Sequence, residues 1–195
     1  MNLPIVAFGS PILRKVAVDI DATYPNFEQL LANMWNTLYN SNGVGLAAPQ
    51  INKSIRLFII DSAQIFANVD DEDKEEITAY TDAPGIVETF INAHIVTLAG
   101  EPWAYNEGCL SIPKIREDVM RPQTVTLTYQ NANWETFTTT FTGITARIIL
   151  HEYDHLEGKL FIDYISPLKK RLIKGKLNDI SKLKTRTDYR MVLTK

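Results

Sequence analysis

The twelve residues RIILHEYDHLEG, Arg147 to Gly158, set His151, Glu152 and His155 within five positions of an otherwise apolar run. On a helix, residues i and i+4 lie one turn apart on the same face, so both imidazoles can be directed at one ion while Glu152 stands beside it. That is the pattern of a metallohydrolase; the alternative is a surface helix that happens to carry two histidines. The flanking residues call for a helix in either case. ITARIILHEYDHLEG keeps helical spacing through Ile144, Ile148 and His151, and Gly158 is placed to end it.

Two imidazoles do not complete a catalytic site, which typically takes three protein ligands and leaves a fourth position for water. His94, the only other histidine, lies upstream in a β-prone stretch, and downstream Glu157 and Asp163 lack the spacing of the extended zinc-protease signature. The single cysteine, Cys109, cannot form an intrachain disulfide, and it sits in YNEGCLSIP between Gly108 and Pro113. A lone cysteine is commonly a small buried hydrophobe. In this context its thiolate would give a tetrahedral Cys-His-His-water set, suited to iron(II), zinc, nickel or cobalt.

A third segment, GVGLAAPQ from Gly43 to Gln50, allows main chain to approach a ligand closely, and the Gln50 amide can donate to a developing oxyanion. It has neither the Lys-Ser/Thr of a phosphate loop nor the glycine spacing of a dinucleotide turn.

The remaining periodicities predict an α+β fold. NFEQLLANMWNTLYN places Phe27, Leu30, Leu31, Met34, Trp35 and Leu38 at helical spacing, with Asn26 as N-cap and Gln29 three residues on. IRLFIID reads as a buried strand, IVETFINAHIVTLAG as β-prone, and TVTLTYQNANWETFTTTFTG as a hairpin turning around NAN. Ser166-Pro167 opens a last, basic helix with Gly175 as its weak point. The acidic block from Asp70 to Glu76 reads as an exposed loop or short insertion. With 195 residues, 45% of them hydrophobic, and no repeat or linker, one domain over residues 1–195 is expected, with a basic helical extension at about 166–195.

A net charge of −3 conceals an asymmetry: from Lys169 onward ten Lys/Arg face two Asp/Glu, near +8, leaving the first 168 residues near −11. Such a segment can meet a polyanion such as RNA, or form a solvated helix face. No basic residue precedes Arg14 and no apolar run is long enough to span a bilayer, so a cytoplasmic location is expected.

GVGLAAPQ, EGCLS and HEYDH, in this order, resemble the three signature segments of the peptide deformylases, and GSPILRKVA, EGCLSIPKIREDVMRP and HEYDHLEGKLFIDYISPLKKR are similar to the bacterial form. The resemblance implies mixed or antiparallel sheets around a central metal-binding helix, with a C-terminal helix. It implies Cys109, His151 and His155 as ligands of one ion, usually iron(II), with zinc or nickel able to occupy the site. The reaction implied is removal of the formyl group from N-formylmethionine at the start of new polypeptides, by a metal-bound hydroxide with Glu152 as general acid/base. Gln50 and the Leu110 backbone N–H would hold the oxyanion. Val44, Tyr105, Ile144 and Ile148 would receive the methionine side chain beside the His151 ring, and backbone at Gly45 would pair with the peptide. Glu107 would anchor the helix or the free enzyme's site through Arg116 or another base.

Three features depart from the family pattern: Leu150 where Gln is frequent, Tyr105 where an aliphatic is expected, and a longer acidic stretch between Asp61 and Gly85. Expected partners are formylmethionyl nascent chains and, through the basic tail, the ribosome, for a monomer that engages neither DNA nor membrane. Two rival readings remain open: a zinc endopeptidase with its third ligand downstream, and a ribosome-associated or metal-binding protein without catalysis.

Overall fold

A computed structural model of the chain describes residues 1–67 and 84–194. In chain order its elements are β1 (Ile5–Val6), α1 (Phe27–Asn40), β2 (Gly45–Ala47), β3 (Leu57–Asp61), α2 (Ala63–Ala67), β4 (Val87–Ala99), β5 (Trp103–Cys109), β6 (Ile112–Arg121), β7 (Thr124–Gln130), β8 (Thr136–Thr142), α3 (Gly143–Leu156), α4 (Pro167–Ile180) and β9 (Met191–Val192), joined by short 3₁₀ turns. The acidic block from 70 to 76 lies outside the described residues.

An antiparallel sheet in the order β2-β3-β4-β7-β8 separates α1 from α3. Strand β3 is buried along its whole length because the sheet is covered on both faces. Phe58 and Ile60 pack on one side with Phe90, Val125, Leu127 and the Ile148 and Ile149 of α3. Leu57 and Ile59, at the alternate positions of the pleat, pack on the other side with Ile91 and with Met34 and Leu38 of α1. The β7–β8 hairpin alternates as its sequence requires. Val125, Leu127 and Tyr129 point inward, while threonine hydroxyls pair across the outer face, Thr126 to Thr140 at 2.8 Å and Thr128 to Thr138 at 2.9 Å.

Every residue of α3 except Tyr153 is buried, which rules out the surface-helix alternative. The helix stops where Gly158 adopts φ +67°, and Lys159 N–H turns back to the carbonyl of Asp154 at 2.8 Å. A Cβ at 158 would stand 2.7 Å from the Arg14 carbonyl, so glycine serves both the backbone angle and the close approach.

Two local expectations need correction. Asn26 takes a left-handed conformation (φ 54°) and makes no side-chain cap, because capping requires an extended backbone at that position. Gln29 turns instead to Asn33, whose Oδ1 its amide reaches at 3.1 Å. The last helix is capped by Ser166, which accepts from Lys169 N–H at 3.3 Å, and it runs through Gly175 to Ile180. Residues 181–194, the rest of the basic segment that is described, are not helical. They fold back across the molecule, and β9 pairs in parallel with β1. Ile173 and Ile180 of α4 join Ile112, Ile115 and Val119 of β6 in a third apolar cluster. Among the described residues no helix is long and apolar enough to cross a membrane.

Candidate metal centre

Three segments distant in sequence converge above α3. The β5–β6 hairpin ends in a two-residue turn, with Cys109 opposite Ile112, and this carries the thiol over the helix. Successive turns of α3 present His151 and His155, their rings 5.3 Å apart and crossed at 78°. Cys109 Sγ lies 3.3 Å from His155 Nε2, and the ligand atoms of all three residues fall within 4.8 Å of one another. Bonds of about 2.0–2.3 Å to one ion place tetrahedral donors a few ångströms apart, so the trio fits a single thiolate-and-imidazole metal site. The downstream candidates are engaged elsewhere: Glu157 pairs with Arg56 and Asp163 with Arg14, while the upstream His94 meets Asp19.

The His151 ring is held from behind by Glu107, whose Oε2 contacts Nδ1 at 2.9 Å, leaving Nε2 to face the site. Glu107 accepts twice more from Arg121, at 2.7 and 3.0 Å, and once from Arg147 Nη1 at 2.9 Å. Arg121 also reaches Asp154 at 2.7 Å, and the Tyr164 hydroxyl donates to the same carboxylate at 2.8 Å. Two buried carboxylates are thus met by two buried guanidiniums. Burial opposes a charge on His151, yet the neighbouring Cys109 and Glu107 outweigh it and raise its pKa.

Of the two alternatives for Glu107, Arg116 or another base, the structure takes the second, with Arg121 and Arg147. In the β5–β6 register Arg116 stands opposite Gly108, one residue along from Glu107 and therefore on the other face of the hairpin, where it bonds Asn106 at 2.9 Å. Arg121 stands opposite Trp103, on the Glu107 face. Once the turn fixes the register, counting in twos along the hairpin selects it. Arg147 lies one helical turn before His151, so α3 puts the two on one face.

Gln50 sits on a 3₁₀ turn after β2, where its Oε1 accepts from Ala47 N–H at 2.8 Å. This turns its amide nitrogen towards Cys109 Sγ at 3.5 Å and Ser111 Oγ at 3.3 Å. Glu152 is buried against Gly45, and its Oε2 has no hydrogen-bond partner among the described residues. Burial pushes the Glu152 carboxyl up, against the pull of His151, to about 7. A cavity of about 630 Å³ opens over these groups. Val44, Gly45, Tyr105, Ile144 and Ile148 line it together with Gln50, Cys109, Leu110, His151 and Glu152, whereas His155 lies beneath, fully buried. The C-terminal residues Arg186–Tyr189 line it too, which the sequence reading did not foresee.

The pattern of the polypeptide deformylase family matches residues 2–171. The chain belongs to that family. It is accordingly a metal-dependent hydrolase that removes the N-terminal formyl group from newly synthesised polypeptides, and the endopeptidase and non-catalytic readings fall away. It is 51% identical to a peptide deformylase of Christiangramia forsetii over 98% of this chain and 95% of that one, and 50% identical to that of Flavobacterium psychrophilum over 99% and 97%. Among solved structures, a peptide deformylase of Legionella pneumophila superposes with a TM-score of 0.78 at 31% identity, covering 96% of this chain and 99% of the other. One from Plasmodium falciparum gives 0.76 at 31% identity, covering 91% and 95%.

Proposed function

We propose that Cys109, His151 and His155 hold one divalent ion per chain, iron(II) physiologically, with zinc or nickel able to replace it, and that Glu152 moves the proton of the deformylation. One thiolate with two imidazoles supports an ion of this borderline-soft class. When bound, the ion supplies Lewis acidity, lowering the pKa of a coordinated water towards neutrality and polarising the formyl carbonyl. Glu152, buried and brought near neutrality, can take a proton from the water and return it to the leaving amine.

Gln50 Nε2, turned into the cavity by the Ala47 bond, and the backbone N–H of Leu110 act as the donors to the oxyanion. The methionine side chain occupies the apolar recess of Val44, Tyr105, Ile144 and Ile148. Strand β2 is the edge of its sheet and lines the cavity at Gly45, so the substrate main chain adds there as a further strand. The basic segment from Lys169 onward, with Leu168 and Leu172 exposed on α4, is assigned to ribosome contact by a monomeric cytoplasmic enzyme. Salt-sensitive co-sedimentation with ribosomes, lost when the exposed lysines of α4 are neutralised, is the expected result.

The observation that carries the assignment is the approach of Cys109 to both histidines at a cavity that also holds Glu152, whose Oε2 has no partner among the described residues. It is tested by anaerobic metal analysis joined to formate release from a formyl-Met peptide. Cys109→Ala should lose metal and activity together. Glu152→Gln should keep the metal and lose about 10²–10⁴-fold in kcat; full activity in either variant rejects the assignment.

A further inference from the structure

The turn that carries the candidate oxyanion donor is braced by the C-terminal tail. Leu110 and Ser111 form the two-residue tip between β5 and β6, and both of their carbonyls are held from outside the hairpin. The Tyr189 hydroxyl donates to Leu110 O at 2.8 Å, and Phe8 N–H donates to Ser111 O at 2.9 Å. These two braces are themselves joined. Ile5 N–H donates to Arg190 O at 2.9 Å and Ala7 N–H to Val192 O at 2.8 Å, which is the parallel pairing of β1 with β9. Tyr189 is only partly exposed, and both it and Leu110 pack against the apolar cluster that includes α1. None of residues 186–192 falls within the span matched by the family pattern.

We propose that Tyr189 is a positioning residue for catalysis: its hydroxyl, anchored through the β1–β9 clasp, locks the Leu110–Ser111 turn so that Leu110 N–H stays directed at the oxyanion. The proposal rests on the assignment of Leu110 N–H as an oxyanion donor. A hairpin tip is otherwise free to rock, and a donor helps the transition state only if it is already aimed before charge develops. Pinning the Leu110 carbonyl removes the rotation of that peptide plane, which would swing the neighbouring one. Cys109 is tied separately, through its pairing with Ile112, so the ion's ligand should not depend on Tyr189.

The test is Tyr189→Phe in the full, metal-loaded chain, which removes one oxygen and keeps the packed ring. Formate release should show kcat lowered roughly tenfold, less than the 10²–10³ for outright loss of a donor, with KM within about twofold. Zinc affinity by chelator competition should be unchanged, and deuterium exchange of the peptide spanning residues 105–112 should quicken. An unchanged kcat overturns the proposal. So does a fall in kcat that tracks lost metal or lost thermal stability, since that would mark a purely structural bond. Glu152→Gln is assayed in parallel: if it is fully active, the functional assignment fails and this inference with it, whereas an inactive Glu152→Gln beside an unaffected Tyr189→Phe rejects the tail's role alone.

Discussion

Gly45 and Glu152 are a matched pair. A methyl group at position 45 would stand 2.8 Å from the Glu152 carboxyl carbon, closer than any real side chain tolerates. The backbone at Gly45 is not among those with positive φ, so the requirement comes from the space above it rather than from its own conformation. Gly45→Ala should therefore displace the carboxylate, lowering kcat at least about tenfold, since a proton-transfer group contributes some 10²–10⁴ only when positioned. The melting temperature should move little; steady-state kinetics beside a thermal melt reads both. The i, i+4 spacing of His151 and His155 was plain in the sequence, because one helical turn dictates it. The reason for a glycine in GVGLAAPQ was not, because nothing local says that Glu152 will pack there.

The β5–β6 hairpin and α3 communicate through Glu107. Burial disfavours its ionisation, but the hydrogen bonds from His151 and Arg121 prevail and hold its pKa well below the usual carboxylate range. A group with a depressed folded-state pKa stabilises the fold above its unfolded value, about 4.3 for Glu, and loses that contribution as pH falls towards the folded value. The urea midpoint of the wild type should exceed that of Glu107→Gln by most at pH 6–7, and the gap should narrow as the pH is taken from 5 to 3. The strands themselves were legible from alternation, in the hairpin of Thr124 to Thr142 above all. Which arginine meets Glu107 was not, since Arg116 and Arg121 are both near in sequence and only the register separates them. Asn26 shows the same limit: a good capping residue does not cap when the incoming chain holds it left-handed.

Across the molecule, stability depends on the two-sided sheet, to which the proposed ion would add. Phe90 stacks on Phe58 with centroids 4.6 Å apart and touches Tyr129 at 4.4 Å, at the centre of the cluster that supports α3. Phe90→Ala should cost about 3–5 kcal/mol in denaturant unfolding. Because the proposed metal trio spans the β5–β6 turn and α3, an ion bound there in the folded chain would raise its stability by mass action, about 4 kcal/mol at a thousandfold excess over Kd. Adding zinc to the stripped protein should raise the melting temperature of the wild type and leave that of Cys109→Ala unmoved. A shift of equal size in both would place the ion elsewhere.

Much of the α+β fold, and the three residues Cys109, His151 and His155 that the structure brings together, could be read from the chain alone. Helical and strand periods are set by backbone geometry over a few residues, and HEYDH, EGCLS and GVGLAAPQ each carry their chemistry within a single short segment. The tertiary structure alone decided the partners: Arg121 and Arg147 on Glu107, Glu152 over Gly45, and the tail returned to the cavity through Tyr189. The basic C-terminal segment reads locally as helix, yet beyond Ile180 it leaves that path to pair β9 with β1. Contacts between elements depend on register and packing across long loops, and neither leaves a mark in the spacing of residues along the chain.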